Sequence, residues 1–278
     1  MRYFRVMAAA AVLATAGTGA AHAQTATPAA ATPLVIGQTF TLESRALGET
    51  RRINVYLPPA YTDSATVRLP VLYMPDGGLG EDFLHVAGLV QVLTGNGTMR
   101  PFILVGIENT QRRRDLTGPT TVAEDRKIAP KVGGSAAYRQ FIREELMPQV
   151  RQRYRTTAET AIVGESLAGL FVVETLLLEP KLFNTYLAFD PSLWWNKGQL
   201  AAQASTLLRA AGRPLVSVYL ATSSQGDLKA TQQVVEAGGR TGSWHYEPMP
   251  EETHATIYHP AALRAFRAVF KPQAKAGR

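Results

Sequence analysis

The chain contains no cysteine, which excludes disulfide staples, thiolate nucleophiles, Cys-ligated zinc, iron–sulfur clusters and a cysteine lipid anchor. Histidine is scarce, with five in the chain, and none stands in an H-E-x-x-H pattern from which a zinc hydrolase could be built. No serine is followed by lysine three residues later, so penicillin-binding chemistry has no starting point. The charge excess is thin: 29 Lys plus Arg against 22 Asp plus Glu, a formal +7. Its one dense run, Arg112-Arg113-Arg114, meets Asp115 at once and makes a poor nucleic-acid stripe, so no nucleic-acid partner is expected. There is no internal repeat, no low-complexity linker and no apolar run long enough to span a bilayer. What is there is an ordinary globular composition, 46% hydrophobic over 278 residues, enough for one large α/β domain or two small ones.

The N-terminus reads as a cleavable signal peptide over residues 1–23. Arg2 and Arg5 form its charged region, Val6 to Ala16 its apolar region, and Ala21-His22-Ala23 an A-x-A cleavage site. A secreted or periplasmic destination without a membrane anchor is expected, with residues 24–33 as a flexible lead-in of small residues and proline. Residues 34–272 then read as one domain. Thr39 to Ser44 and Arg51 to Leu57 suggest an antiparallel edge. Leu69 to Met74, Phe102 to Ile107, Ala161 to Val163, Tyr186 to Phe189 and Leu215 to Ala221 are continuous apolar runs, as in parallel strands covered on both faces. Helical patterns lie between them, including a stripe over Ser135 to Arg153 that Pro148 should kink and an all-round apolar helix from Leu170 to Leu178. This alternation predicts a mainly parallel, doubly wound sheet, whose ligands bind at the carboxyl ends of strands.

The most informative segment runs from Ala161 to Leu170: an apolar strand enters a buried helix with Ser166 at the turn between them. Such a turn is strained and needs small neighbours, which Gly164 and Ala168 supply, although the G-x-S-x-G pattern is broken at Ala168. A plain strand-to-helix turn with Ser166 as N-cap is the alternative. Serine hydrolases with this turn place histidine last in the chain, and His254 lies after the last expected strand, Trp244 to Met249, and before the last helix. The acid that orients the histidine belongs on a loop after a parallel strand. Asp227 is the carboxylate of the loop after Leu215 to Ala221, and it reads equally well as a helix cap; Asp190 is the alternative. The amides of Leu167 and Gly78 are the candidate oxyanion donors, Gly78 because the Pro75-Asp76-Gly77-Gly78 turn lets a backbone N–H come close to a substrate.

Taken together, VLYMPDGG (71–78), VGIENTQRRRDLT (105–117), FIREELMPQVRQRYRT (141–156), VGESLAGLFVVETLLLEPKLFNTYLAFDPSLWW (163–195) and PEETHATIYHPAALRAF (250–266) resemble the esterase family of α/β-hydrolases that includes siderophore trilactone esterases. The resemblance implies an α/β-hydrolase fold, Ser166 as nucleophile, His254 as base and the Leu167 and Gly78 amides as oxyanion donors, with no cofactor and no metal. The chain departs from the family's pattern at Glu165, where histidine is usual, at Ala168, and at Gln225, near which the family often has glutamate. The acid is therefore open between Asp227, Asp190 and none. Arg112, Arg113, Arg114, Trp194 and Trp195 follow strand ends, where an anionic ester could meet guanidinium and indole faces; a solvated loop for the arginines and packing anchors under a lid for the tryptophans are the alternatives. The expected activity is ester hydrolysis through an acyl-enzyme, with acyl transfer or a catalytically inactive binding module as alternatives.

Overall fold

The computed structural model describes residues 31–212, 215–239 and 243–272. The expected signal peptide (1–23) and most of the expected lead-in lie outside them. Among the described residues, those from Ile36 onward form one compact unit around a single sheet of eight strands: β1 Gln38–Ser44, β2 Glu49–Tyr56, β3 Leu69–Pro75, β4 Ile103–Ile107, β5 Thr156–Glu165, β6 Thr185–Phe189, β7 Ser217–Ser223 and β8 Trp244–Met249. Their spatial order is β1-β2-β4-β3-β5-β6-β7-β8. β1 pairs antiparallel with β2, and β2 antiparallel with β4; every pair from β4 to β8 is parallel.

This is the doubly wound sheet expected from the alternation of apolar runs and helical stripes, with the antiparallel edge where the early strands place it, and it is an α/β-hydrolase fold. β3, β4 and β6 are buried along their whole length, which explains why they carry unbroken apolar sequence. β5 starts earlier than its apolar core: after buried Thr156, residues Thr157 to Thr160 are exposed or only partly covered. From β3 the chain crosses to β4 on one side, and from β5 it winds to the other. The crevice at the carboxyl ends of β3 and β5 is thus the switch point where ligands bind in such sheets.

The helices are α1 Pro59–Thr62, α2 Phe83–Gly95, α3 Arg112–Asp115, α4 Ser135–Gln140, α5 Met147–Arg153, α6 Ser166–Leu178, α7 Gln199–Ala210, α8 Leu228–Gly238 and α9 Tyr258–Val269. Alternate strand residues face two separate cores. Leu72, Val163 and Leu187 pack under α2 and α9, whereas Tyr73, Ile162 and Ala188 pack under the helices from α4 to α8. A wide helical turn, Phe141–Leu146, joins α4 to α5. It lies just before Pro148, whose ring cannot donate a hydrogen bond and would crowd the carbonyl four residues back, so the irregularity falls N-terminal to the proline. α6 is buried on nearly all sides; Leu170, Phe171, Val173 and Leu176 each contribute about 1.5–3 kcal/mol of burial. Its one buried carboxylate, Glu174, is met by Arg139 at 2.8 Å. No helix among the described residues is long and apolar enough to cross a membrane.

Candidate active site

Three residues other than glycine, at the ends of adjacent strands, hold left-handed backbone: Asp76 (φ 56°) after β3, Ser166 (φ 61°) after β5 and Asp190 (φ 41°) after β6. Each such conformation costs on the order of 1–3 kcal/mol and persists only where the surroundings enforce it. At Ser166 the enforcement is the close return of α6 on its own strand. A Cβ at Gly164 would stand 2.6 Å from the carbonyl carbon of Ala168, so that position requires glycine. Ala168 is buried against it without needing to be glycine itself, because Gly169 makes the next close approach: a Cβ there would lie 3.1 Å from the Phe189 carbonyl oxygen. The broken motif is therefore compatible with the tight turn.

Ser166 stands at the head of a hydrogen-bonded chain. His254 Nε2 lies 3.0 Å from Ser166 Oγ, and His254 Nδ1 lies 3.2 Å from Asp190 Oδ2. Asp190 is 2% exposed and also accepts from the Ser223 amide at 2.6 Å and the Ser223 hydroxyl at 2.5 Å. These donors satisfy a buried carboxylate that would otherwise be costly. A Cβ at Gly226 would fall 2.3 Å from Asp190 Oδ1, so glycine is what lets the loop close over the acid. The same loop holds the histidine, whose backbone N–H donates to Gln225 Oε1 at 3.1 Å. Ser224 binds the Glu252 carbonyl through its amide and its hydroxyl, at 3.0 and 2.7 Å.

Asp227, the first choice of acid from sequence, takes no part in this chain. Its carboxylate accepts from the Ala230 amide at 3.0 Å and caps α8, so the expectation that it orients His254 is corrected in favour of Asp190. The loop that carries Asp227 grips the acid of the neighbouring strand instead of supplying one.

Leu167 is the second residue of α6, where a helix amide has no acceptor within its own helix. The Gly78 amide is not open: it donates to Glu81 Oε2 at 2.6 Å. A substrate oxygen at Gly78 must displace that carboxylate. Asp76 ties down the facing loop, accepting from Asn109 Nδ2 at 2.5 Å and from Arg112 Nε and Nη2 at 2.7 and 2.8 Å.

The three arginines separate. Arg112 is paired with Asp76 beside the cleft. Arg114 binds Glu49 and Asp115, in a network completed by buried Arg51 against Asp115 at 2.6 Å. Arg113 donates to the Ile128 carbonyl. A cavity of about 530 Å³ is lined by Gln111, all three arginines, Ala129, Pro130 and Lys131, with no acidic residue in its wall. Trp195 is a packing anchor, buried with its Nε1 donating to the Gly118 carbonyl at 2.9 Å. Trp194 is 50% exposed on the loop after β6.

Glu165, the last residue of β5, is 17% exposed at its side chain, and its Oε1 lies 3.3 Å from His254 Nε2. Burial pushes its carboxyl up to about 8; Arg112 opposes the shift, and Asp190, Asp76 and Asp82 add to it. No group of three or more metal-ligating side chains is assembled among the described residues.

Sequence reasoning did not single out Glu81, or Ser223 and Gly226 as holders of the acid. The signal for Glu81 was weak, an acid three residues beyond a glycine turn. That for Asp190 was stronger: an aspartate directly at the end of the strand next to β5.

The sequence profile of the family called Putative esterase matches residues 44–254. Ferri-bacillibactin esterase BesA of Bacillus subtilis is 31% identical over 166 residues, 54% of this chain and 56% of that protein. The siderophore triacetylfusarinine C esterase of Aspergillus fumigatus is 31% identical over 176 residues, 59% and 58% of the two chains. The aligned part thus spans little more than half the length of either relative. Among solved structures, an IroE-like serine hydrolase from Shewanella oneidensis superposes with a TM-score of 0.71 at 29% identity, covering 84% of this chain and 80% of that one.

Proposed function

The chain belongs to the family called Putative esterase, and from that premise we propose that it is a serine carboxylic-ester hydrolase working through an acyl-enzyme on Ser166. The observation that carries the proposal is the Ser166–His254–Asp190 chain, with contacts of 3.0 and 3.2 Å. Asp190 keeps the single proton of neutral His254 on Nδ1 and leaves the Nε2 lone pair to the serine. His254 takes the Ser166 proton as Oγ bonds to the ester carbonyl carbon. The displaced electron pair settles on the carbonyl oxygen, which the Leu167 amide receives, joined by Gly78 once Glu81 is displaced. Collapse breaks the bond to the alcohol, which leaves with the proton from Nε2. Water, deprotonated by the same nitrogen, then frees the acid and restores Ser166.

An anionic, siderophore-like ester is the proposed substrate class. The named activities of BesA and the triacetylfusarinine C esterase support it, as does the cation-lined cavity that Arg112 helps to line. In this reading Arg113 and Lys131 receive the anionic part of the substrate and Trp194 offers a flat exposed face, while Arg114 and Trp195 support the walls. Secretion through residues 1–23 belongs to the same proposal, and intact mass of the exported protein checks it by a mature N-terminus at Gln24.

The decisive experiment is fluorophosphonate labelling read by peptide mapping. A single adduct on Ser166 is expected, lost in Ser166→Ala and in His254→Ala, with ester turnover of Ser166→Ala down by about 10³-fold or more. Absence of any adduct on folded protein would refute the hydrolase and favour a binding module.

A further inference from the structure

His254 Nε2 has two oxygen neighbours, Ser166 Oγ at 3.0 Å and Glu165 Oε1 at 3.3 Å. Oε1 is buried and makes no hydrogen bond. With its one proton on Nδ1, facing Asp190, the imidazole has no N–H to donate to Oε1, and the proton of neutral Glu165 must stand on Oε2 for the Nε2 lone pair to stay with Ser166. Resting on the hydrolase reading above, we propose that Glu165 is a positioning residue for His254, its protonation state deciding whether Nε2 serves Ser166 or is claimed by the neighbouring carboxylate.

The reasoning is a contest for one proton. While Glu165 is neutral, Asp190 is the sole carboxylate in contact with the ring and holds the proton on Nδ1. When Glu165 ionises, its proton passes to solvent and the ring lies between two carboxylates, one at each nitrogen. Moving the ring's one proton from Nδ1 to Nε2, where it can be donated to Glu165, then competes with the arrangement that Asp190 holds. In that tautomer the lone pair that must accept the Ser166 proton is gone.

The surroundings keep Glu165 neutral through the working range. Asp190 after β6, Asp76 after β3 and Asp82 at the start of α2 all disfavour its charge. Arg112 of α3 is the cation that favours it, and Arg112 is already committed to Asp76 through two bonds. Tyr258 of α9 also feels Glu165, but burial pushes its phenol far up, so it stays neutral. Burial of the carboxyl carries its titration to about 8, just above neutrality.

The test is the rate of fluorophosphonate inactivation against pH for the full-length protein and Glu165→Gln, each profile normalised to its own maximum. Reactivity of the parent should fall above about pH 8, by up to about tenfold per pH unit. In Glu165→Gln the falling limb should disappear or move up by about one pH unit or more. A parent profile with no falling limb there, or the same limb in both proteins, would overturn the proposal while leaving the esterase reading intact; no labelling at any pH would overturn both. A second measurement needs no variant: the ¹⁵N shift of His254 Nε2 in the parent should report an unprotonated nitrogen near neutrality and a protonated one above the limb. An unprotonated Nε2 throughout that range would refute the contest for the proton.

Discussion

Replacing Glu165 by glutamine should stabilise the fold, by an amount that grows with pH. The ordinary carboxyl value of 4.5 is raised in the folded protein to about 8, chiefly by burial. Between these two values the unfolded chain has already released the proton while the folded chain still holds it. Unfolding therefore releases a proton, and stability conferred by the parent side chain declines as pH rises through this window. At about 1.4 kcal/mol per unit, the shift caps the penalty at about 5 kcal/mol above pH 8. Relaxation and water entry at a side chain that retains 17% exposure bring a realistic value to about 2–3 kcal/mol. Glutamine keeps the shape and carries no ionisation penalty. The assay is denaturant or thermal unfolding of parent and Glu165→Gln at about pH 5 and about pH 8.5. At the lower pH the two should differ little, and at the higher one the variant should melt some 4–10 °C later, by the usual scaling for a domain of this size. A difference of equal size at both pH values would refute the reasoning, because a packing effect is blind to pH. So would a parent that becomes relatively more stable with increasing pH.

The two candidate acids separate cleanly by mutation: Asp190→Asn should lower kcat by about 10²–10⁴-fold, whereas Asp227→Asn should leave ester turnover within about threefold and cost at most about 1 kcal/mol as a cap, both read by steady-state kinetics and unfolding. Gly226→Ala should lower kcat by at least about tenfold, since a Cβ 2.3 Å from Asp190 Oδ1 must displace either the acid or the loop that holds it. Glu49, held down to about 2 first of all by its bond to Arg114, contributes stability that is present above the ordinary carboxyl range and is lost as pH falls through about 2. Because solvent screens this pair, Glu49→Gln should cost about 1 kcal/mol or less near neutrality, and the difference should vanish in acid unfolding curves. Phe171→Ala, at a fully buried site in α6, should cost about 3–5 kcal/mol by chemical denaturation.

The sheet was legible because burial on both faces writes itself into sequence as unbroken apolar runs, and β3, β4 and β6 are of that kind. β5 was read short for the converse reason: after buried Thr156 the strand runs through Thr157 to Thr160, exposed or only partly covered, so no hydrophobic run marks its start. The helix from Ser135 was placed, and Pro148 marked its irregularity, but the wide turn at Phe141–Leu146 answers to geometry that no residue type announces. Ser166 was legible because the turn demands small neighbours at fixed offsets. The demand for a glycine was misplaced by one position, from Ala168 to Gly169, since what matters is which residue backs onto the Phe189 carbonyl.

The acid was harder to place because its identity is a property of the loop above it. Asp227 and Asp190 both follow parallel strands, and both are compatible with an orienting role. What separates them is a cradle assembled from a different strand's loop: two donors from Ser223, the missing side chain of Gly226, and the Gln225 side-chain oxygen Oε1 holding the histidine backbone. A glycine and a glutamine without charge thus decide which carboxylate faces His254, and neither residue carries the chemistry that a motif search looks for. The same logic applies to Glu165. Beside the serine it reads as a departure from a family pattern, and only the 3.3 Å contact with Nε2 turns it into a second claimant for the proton on which the base depends.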